Sequence, residues 1–208
     1  VVNAQILKPT KINDLSKLIQ VNKNIIARGL GRSYGDSANS NTVLDTTSLN
    51  SILKFDSESG VISCESGVSI KEMNELTIPK GWFVPVTSGS SYVTLGGAIA
   101  SDIHGKNHHL DGAFSDHILS ANIMLGDGEV LNISNSINSD LFQATCGGMG
   151  LTGIIISASI KLKSISSSLI KQTTIKNNSL KELLNQFEIN FSSSYSVAWL
   201  DCSNKSKS

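Results

Sequence analysis

Aromatic side chains are scarce in this chain, at 5% of 208 residues, and there is no excess of either charge: 17 Lys and Arg balance 17 Asp and Glu. A stacking platform for single strands needs aromatic rings, and a nucleic-acid or membrane-surface binder needs a cationic excess. Neither is present, so no nucleic-acid partner is expected. Cysteine is sparse too: Cys64, Cys146 and Cys202 are odd in number, far apart, and form no CxxC. Reduced, mostly buried thiols are the expectation, with no disulfide framework and no cysteine zinc site.

Charge is missing from two stretches of about twenty residues, 81–101 and 141–160, long enough for a membrane span. Pro85 and a Gly/Ser-rich middle break the first, and Gly147, Gly148 and Gly150 break the second. No basic segment followed by an apolar one opens the chain, so a cytoplasmic or membrane-peripheral location is expected rather than export.

Several familiar site patterns fail. Gly148-Met-Gly150-Leu-Thr-Gly153 matches GxGxxG, but a helix-like segment precedes it and a β-branched run follows, the reverse of a dinucleotide fold. No acidic residue lies between Asp140 and Glu182 to hold a ribose, Tyr34 stands where Gly29-Leu-Gly31 would need a third glycine, and no GxxxxGK[ST] exists. Ser33 has no histidine at a recognisable spacing for a hydrolase. His104, His108, His109 and His117 invite a metal reading, but Gly105 and Asn107 argue against a helix joining His104 to His108, and no HExxH occurs. No metal site is expected.

What the chain does hold is glycine, gathered in loops. Residues 87–109 read TSGSSYVTLGGAIASDIHGKNHH. Small residues let backbone N–H groups approach a ligand, and a Gly-rich loop entering a helix start favours an anion. Thr94 is the expected helix cap there, with His104 and Lys106 close behind. The plainer alternative is an irregular surface loop with incidental glycines. A second turn, RGLGRSYGDS at 28–37, sets Arg28 and Arg32 around Gly29, Gly31 and Gly35, a pattern suited to a diphosphate. Asp36 and Asp102 are expected to fix loop geometry rather than act as bases.

Thr10 is the expected cap of a helix with Ile12, Leu15, Leu18 and Ile19 on one face, followed by strands at 24–27, 42–45, 52–56 and 61–65, the last two joined into a hairpin by the turn Ser57–Gly60. A helix at 68–76 ends at Pro79-Lys80-Gly81, and 82–86 reads as a buried strand. The segments 118–125 and 129–133 flank Gly126-Asp127-Gly128 as a hairpin. A short helix at 140–145 and a long strand at 151–162 follow. From about Ser164 the texture turns to Ser, Lys and Asn, with a helix at 180–187 and a strand at 195–200, read as the opening of a second domain. The mixture predicts an α+β fold rather than a doubly wound sheet.

Three phrases, ARGLGRSYGD (27–36), GWFVPVTSGSSYVTLGGAIASDIHGKNHH (81–109) and CGGMGLTGIII (146–156), together resemble the flavin-binding half of the vanillyl-alcohol-oxidase/p-cresol-methylhydroxylase superfamily of FAD-linked oxidoreductases. They are similar to one branch in particular, the FAD-dependent oxidases of decaprenylphosphoryl-β-D-ribose, with IHGKNHH the most specific part. The likeness runs in one register from about Asn24 to Trp199.

The resemblance implies a PCMH-type FAD-binding domain of two α+β subdomains over residues 1–164, then the incomplete start of a substrate domain over 165–208. FAD would be held by Ala27, Arg28, Gly29, Leu30, Gly31, Arg32, Ser33, Tyr34, Gly35, Asp36 and Ser37. A second loop would add Gly89, Thr94, Leu95, Gly96, Gly97, Ser101, Asp102, Ile103 and His104, and the last strand Ile155. Tyr34, His104 and Lys106 would face the sugar as catalytic groups, with Trp199 lining the pocket.

Covalently flavinylated relatives carry a histidine where this chain has Arg32, and bicovalent ones add a cysteine that 81–109 lacks, so FAD is expected to be non-covalent. The implied substrate is a polyprenyl-phosphate sugar, oxidised to its 2-keto form, with a reductase partner completing the epimerisation. The branch's base-like lysine lies in the later substrate domain, so the complete protein is the expected catalyst and this chain alone is not. Two alternatives stand beside this: an oxidase of sugar lactones or alditols, and a flavin-binding module without catalysis.

Overall fold

The computed structural model describes residues 3–22 and 24–202. It opens with β1 (Gln5–Leu7), α1 (Ile12–Val21), β2 (Ile25–Arg28) and β3 (Thr42–Asp45). β3 lies between the other two strands and runs parallel to both. A parallel neighbour cannot be reached by a tight hairpin, so the chain must cross back between β2 and β3 through a long connection. That connection, residues 29–41, contains the first glycine-rich turn.

Leu15 and Ile19, four apart on one face of α1, are buried in a cluster with Leu44 and Leu49. The cap is Lys11 rather than the expected Thr10. Its backbone is extended, its side chain makes no capping bond, and its carbonyl accepts from the Asp14 N–H at 3.0 Å.

β4 (Ile52–Asp56) and β5 (Val61–Glu65) form the expected hairpin, its turn held by the Asp56 carboxylate accepting from the N–H groups of Glu58 and Ser59. α2 (Ile70–Thr77) begins at Ser69 with a reciprocal cap: the Glu72 N–H donates to the Ser69 hydroxyl, and the Ser69 N–H donates to the Glu72 carboxylate. Gly81, at φ +81°, closes the 3₁₀ turn that follows.

β6 (Trp82–Phe83) stops well short of residue 86. The Val84 N–H donates to the Asn74 side chain at 3.1 Å, and Pro85 has no N–H, so the ladder cannot continue. The chain goes on through α3 (Leu95–Ala100), α4 (His108–Asp111), β7 (Ile118–Met124), β8 (Val130–Ile133), α5 (Ser139–Thr145), β9 (Ile154–Lys161), β10 (Lys163–Ser164) and α6 (Leu180–Ile189). The hairpin of β7 and β8 is as expected; α4 is not foreshadowed in the sequence.

The second sheet has the order β4–β5–β9–β7–β8, antiparallel throughout, and β10 pairs with β6. β9 is its middle strand. Ile155 and Ile160 join the larger core with Met73, Val84, Ile99 and Phe114, while Ile154 and Ile156 join the smaller core with Leu15 and Leu44. A strand covered on both faces reads as an apolar run, not an alternation, and that explains IIISASIK. Each such buried isoleucine contributes about 1.5–3 kcal/mol.

The fold is α+β, as expected. The charge-free stretches become short elements and loops, and among the described residues no helix is long and apolar enough to cross a membrane. The strand expected at 195–200 does not form; the Ser196 N–H donates instead to the Lys106 carbonyl at 3.0 Å. Cys64 is buried and Cys146 half-buried, but Cys202 is exposed, against the expectation of mostly buried thiols.

Candidate functional site

Three glycine-bearing segments line one cavity of about 560 Å³: the turn after β2, the residues around α3, and the turn before β9. The first two touch. A Cβ added at Gly29 would lie 2.1 Å from Thr94 Oγ1, so only glycine lets the turn lie against the helix cap. The third is tied to the end of α3 by the Gly147 and Met149 N–H groups, which donate to the carbonyls of Ile99 and Ala100.

Thr94 caps α3 as expected, accepting from the Gly97 N–H at 3.2 Å. The reading of α3 as a source of free amides needs correction. The Leu95 and Gly96 N–H groups donate to the carbonyls of Val68 and Ser66, both at 2.8 Å, so the first turn of α3 is fully engaged. The unengaged amides belong to the other turn: among the described residues, no N–H of residues 29–38 donates to a protein acceptor. That turn has the donors an anion cradle needs, because no competing partner in the protein engages them.

Arg28 shapes it. Its guanidinium donates to the Ala38 carbonyl and to Asn39 Oδ1, and a Cβ at Gly31 (φ +64°) would fall 2.4 Å from its Nη2. Arg28 therefore braces the turn from within, while exposed Arg32 is the freer cation. No carboxylate lines the cavity, and two arginines do. Glycine cradle, open amides and cationic wall together fit a nucleotide diphosphate.

Of the residues expected to contact a cofactor, Gly35, Asp36, Leu95 and Asp102 do not line the cavity, and the rest do. Leu95 is wholly buried in the core. Asp36 accepts from Asn39 Nδ2, and Asp102 (φ +39°) accepts from the Ser115 N–H and hydroxyl, so both hold loops as expected. Tyr34 stands at the cavity mouth, 98% exposed, and Trp199, 95% exposed, does not line the cavity.

Thr46, Ser66, Val93, Ala100, Met149, Gly150 and Gly153 also line the cavity and were not foreseen. Gly150 and Gly153 carried a signal, since they belong to the glycine cluster that failed as a dinucleotide motif. Thr46 and Ser66 carried none; each follows a strand end, and only topology unites them.

A second cavity of about 500 Å³ shares Ser88, Gly89 and His104 with the first and adds Lys106, His108, Tyr195 and Ser196. His104 is thus the hinge between the two. This space also lacks a carboxylate. The His109 Nε2–H donates to the Ser193 carbonyl and the His108 Nδ1–H to the Gly105 carbonyl, roles set by the acceptor-only partners. Beside the site, burial and then the Asp102 charge push the Cys146 thiol up to about 11, so it stays protonated. Among the described residues no cluster of His, Cys, Asp or Glu is arranged to hold a metal ion.

A family model for an FAD binding domain matches residues 4–134. The decaprenylphosphoryl-beta-D-ribose oxidase of Mycolicibacterium smegmatis is 40% identical over 190 residues, 88% of this chain and 41% of that protein. An L-gulonolactone oxidase of Scyliorhinus torazame is 29% identical over 161 residues, 74% of this chain and 36% of that protein. A D-lactate dehydrogenase of Archaeoglobus fulgidus is 26% identical over 171 residues, 77% of this chain and 39% of that protein. The chain spans about two fifths of the length of these relatives, from 36% to 41%.

Proposed function

The chain belongs to the FAD binding domain family, and from that premise we propose that it is the flavin-binding part of an oxidoreductase acting on a secondary alcohol of a polyprenyl-phosphate sugar. The substrate we infer is decaprenylphosphoryl-ribose, oxidised to its 2-keto form, with a separate reductase completing an arabinose epimerisation. One observation carries the reading: two carboxylate-free cavities meet at His104, one glycine-cradled and the other bearing Lys106.

The turn at residues 29–38 would hold the FAD diphosphate through its open amides, with Arg32 adding charge. Thr94, Gly96, Gly97, Ser101 and Ile155 would form the opposing wall. No histidine stands at Arg32, so the hold is non-covalent. Bound FAD supplies the hydride acceptor. Lys106 would hold the substrate phosphate as a point charge, and His104 would orient the sugar hydroxyl at the junction of the cavities. Proton removal from that hydroxyl is assigned to a basic residue of the complete protein's substrate domain. Residues 1–164 would be the FAD-binding domain, with one subdomain around each large sheet, and 165–208 the opening of the substrate domain.

Similarity to an L-gulonolactone oxidase supports a second reading, oxidation of a sugar lactone or alditol. Anaerobic bleaching of the flavin absorbance in the complete protein separates the two. Bleaching by a polyprenylphosphoryl ribose and not by lactones is the expected result; the reverse pattern overturns the proposal. A yellow protein that no alcohol bleaches would be a flavin module without catalysis.

A further inference from the structure

We propose that Asn107, acting with Asp111 and Lys163, is a positioning residue that sets the loop carrying His104 and Lys106 against the smaller cavity, an assignment that rests on the functional reading above. Asn107 follows Lys106 directly and is 1% exposed. Its Nδ2 donates to the Pro85 carbonyl at 2.8 Å and to Asp111 Oδ2 at 2.7 Å. The same Oδ2 accepts from Lys163 Nζ at 2.6 Å. Lys163 lies on β10, opposite Phe83 of β6, and the chain runs from Phe83 straight to Pro85.

These contacts close a ring: β6, Pro85, Asn107, Asp111, Lys163, and back to β6. One end of the side-chain chain lies on β10 and the other at Pro85, two residues past β6, so the loop cannot slide without breaking a charge-assisted bond. The Asp111 carbonyl is held as well, accepting from His117 Nε2–H at 2.8 Å. Burial alone would push the Asp111 carboxyl up. Hydrogen bonds from Lys163 and Asn107 outweigh it and leave the carboxyl below its usual range, charged at neutral pH.

Packing alone does not account for Asn107. Its Oδ1 is buried without a hydrogen-bond partner, which is unfavourable, and an apolar residue of similar size would avoid it. Residue 105, between His104 and Lys106, packs closely against this amide: a Cβ there would come 2.5 Å from Oδ1 and 2.8 Å from the Thr87 carbonyl oxygen. Lys106 is exposed, and among the described residues its ammonium has no partner in the protein. Where it points depends on backbone that the ring holds.

The test uses the complete, flavin-loaded protein with Asn107→Ala and Lys163→Met, each made alone and combined with Lys106→Met. Lys163→Met sits at the partly exposed far end of the ring and keeps the proposal falsifiable if Asn107→Ala fails to fold. Two readings are taken: KM and kcat for a polyprenylphosphoryl ribose, and binding of inorganic phosphate from its shift of the flavin spectrum. Lys163→Met should raise KM and weaken phosphate binding about tenfold, with kcat within about twofold, and should add nothing once Lys106 is Met. An unchanged KM in Lys163→Met, or effects that multiply in the double variant, overturns the positioning role. A wild-type protein that neither oxidises the sugar nor binds phosphate overturns the functional reading, and the positioning role with it.

Discussion

Gly29 and Thr94 are in direct contact, with 2.1 Å between Thr94 Oγ1 and the place a Cβ of residue 29 would occupy. Sixty-five positions separate them in the chain, yet their contact decides that the two glycine turns share one cleft. Thr94 is already committed to the Gly97 N–H, so it cannot swing away freely. Replacing Gly29 by Ala should therefore cost about 1–3 kcal/mol and weaken flavin binding together with stability. A thermal melt and a flavin-fluorescence titration of the variant check this; a Gly29→Ala protein that melts and binds normally would mean the turns sit further apart.

Arg28 tests the cradle by another route. Lysine at this position keeps the charge but loses the fork that reaches Ala38 and Asn39. Two hydrogen bonds at about 1 kcal/mol each suggest flavin affinity lower by about tenfold or somewhat more, with the melting temperature scarcely moved because the turn is exposed. Equal affinity in Arg28→Lys would show that the turn holds its shape without the brace.

Leu15 lies at the seam between the two sheets, wholly buried with Leu44 of one and Ile154 and Ile156 of the other. Leu15→Ala should destabilise the chain by about 2–5 kcal/mol. Urea unfolding followed by circular dichroism is the measurement, and a loss below 1 kcal/mol would mean that the seam closes over the gap, as about 1 kcal/mol is the scale of an average substitution.

The Asp111 carboxyl gives a signed pH dependence. Its folded value lies below the ordinary 3.8, so folding favours the charged form. The stability this adds is present above the unfolded value and lost as pH falls through the folded one. Wild type should out-melt Asp111→Asn at neutral pH, and the gap should close as the pH falls through and below the ordinary 3.8. A gap that stays constant through that window would detach the Asp111 charge from stability.

Thiol chemistry distinguishes the three cysteines. Burial, then the Glu72 charge, pushes the Cys64 thiol up to about 12, and burial with Asp102 pushes Cys146 to about 11. Iodoacetamide at about pH 8 should label exposed Cys202 in the folded chain and reach the other two only after denaturation. Mass spectrometry of the labelled peptides decides it, and early labelling of Cys146 would indicate an opened glycine turn.

Much of the local structure was legible because it depends on near neighbours. The Ser57–Gly60 and Gly126–Gly128 turns, the Thr94 cap and the α1 face all follow from residues a few positions apart. Legibility failed where a distant partner intervened. The strand at 82–86 was cut short by the Asn74 side chain, the one at 195–200 found no ladder, and the amides of α3 were taken by carbonyls of Val68 and Ser66.

The sequence by itself determined that glycine-rich turns, two arginines, His104 and Lys106 exist in an α+β chain without charge excess, because composition and short-range pattern are local properties. Only the tertiary structure decided which amides remain free for an anion, that Arg28 is a brace, and that Thr46 and Ser66 join the cavity wall. Those outcomes hang on strand direction and on hydrogen-bond partners distant in the chain, and a backbone donor is available to a ligand only when nothing in the fold has already claimed it.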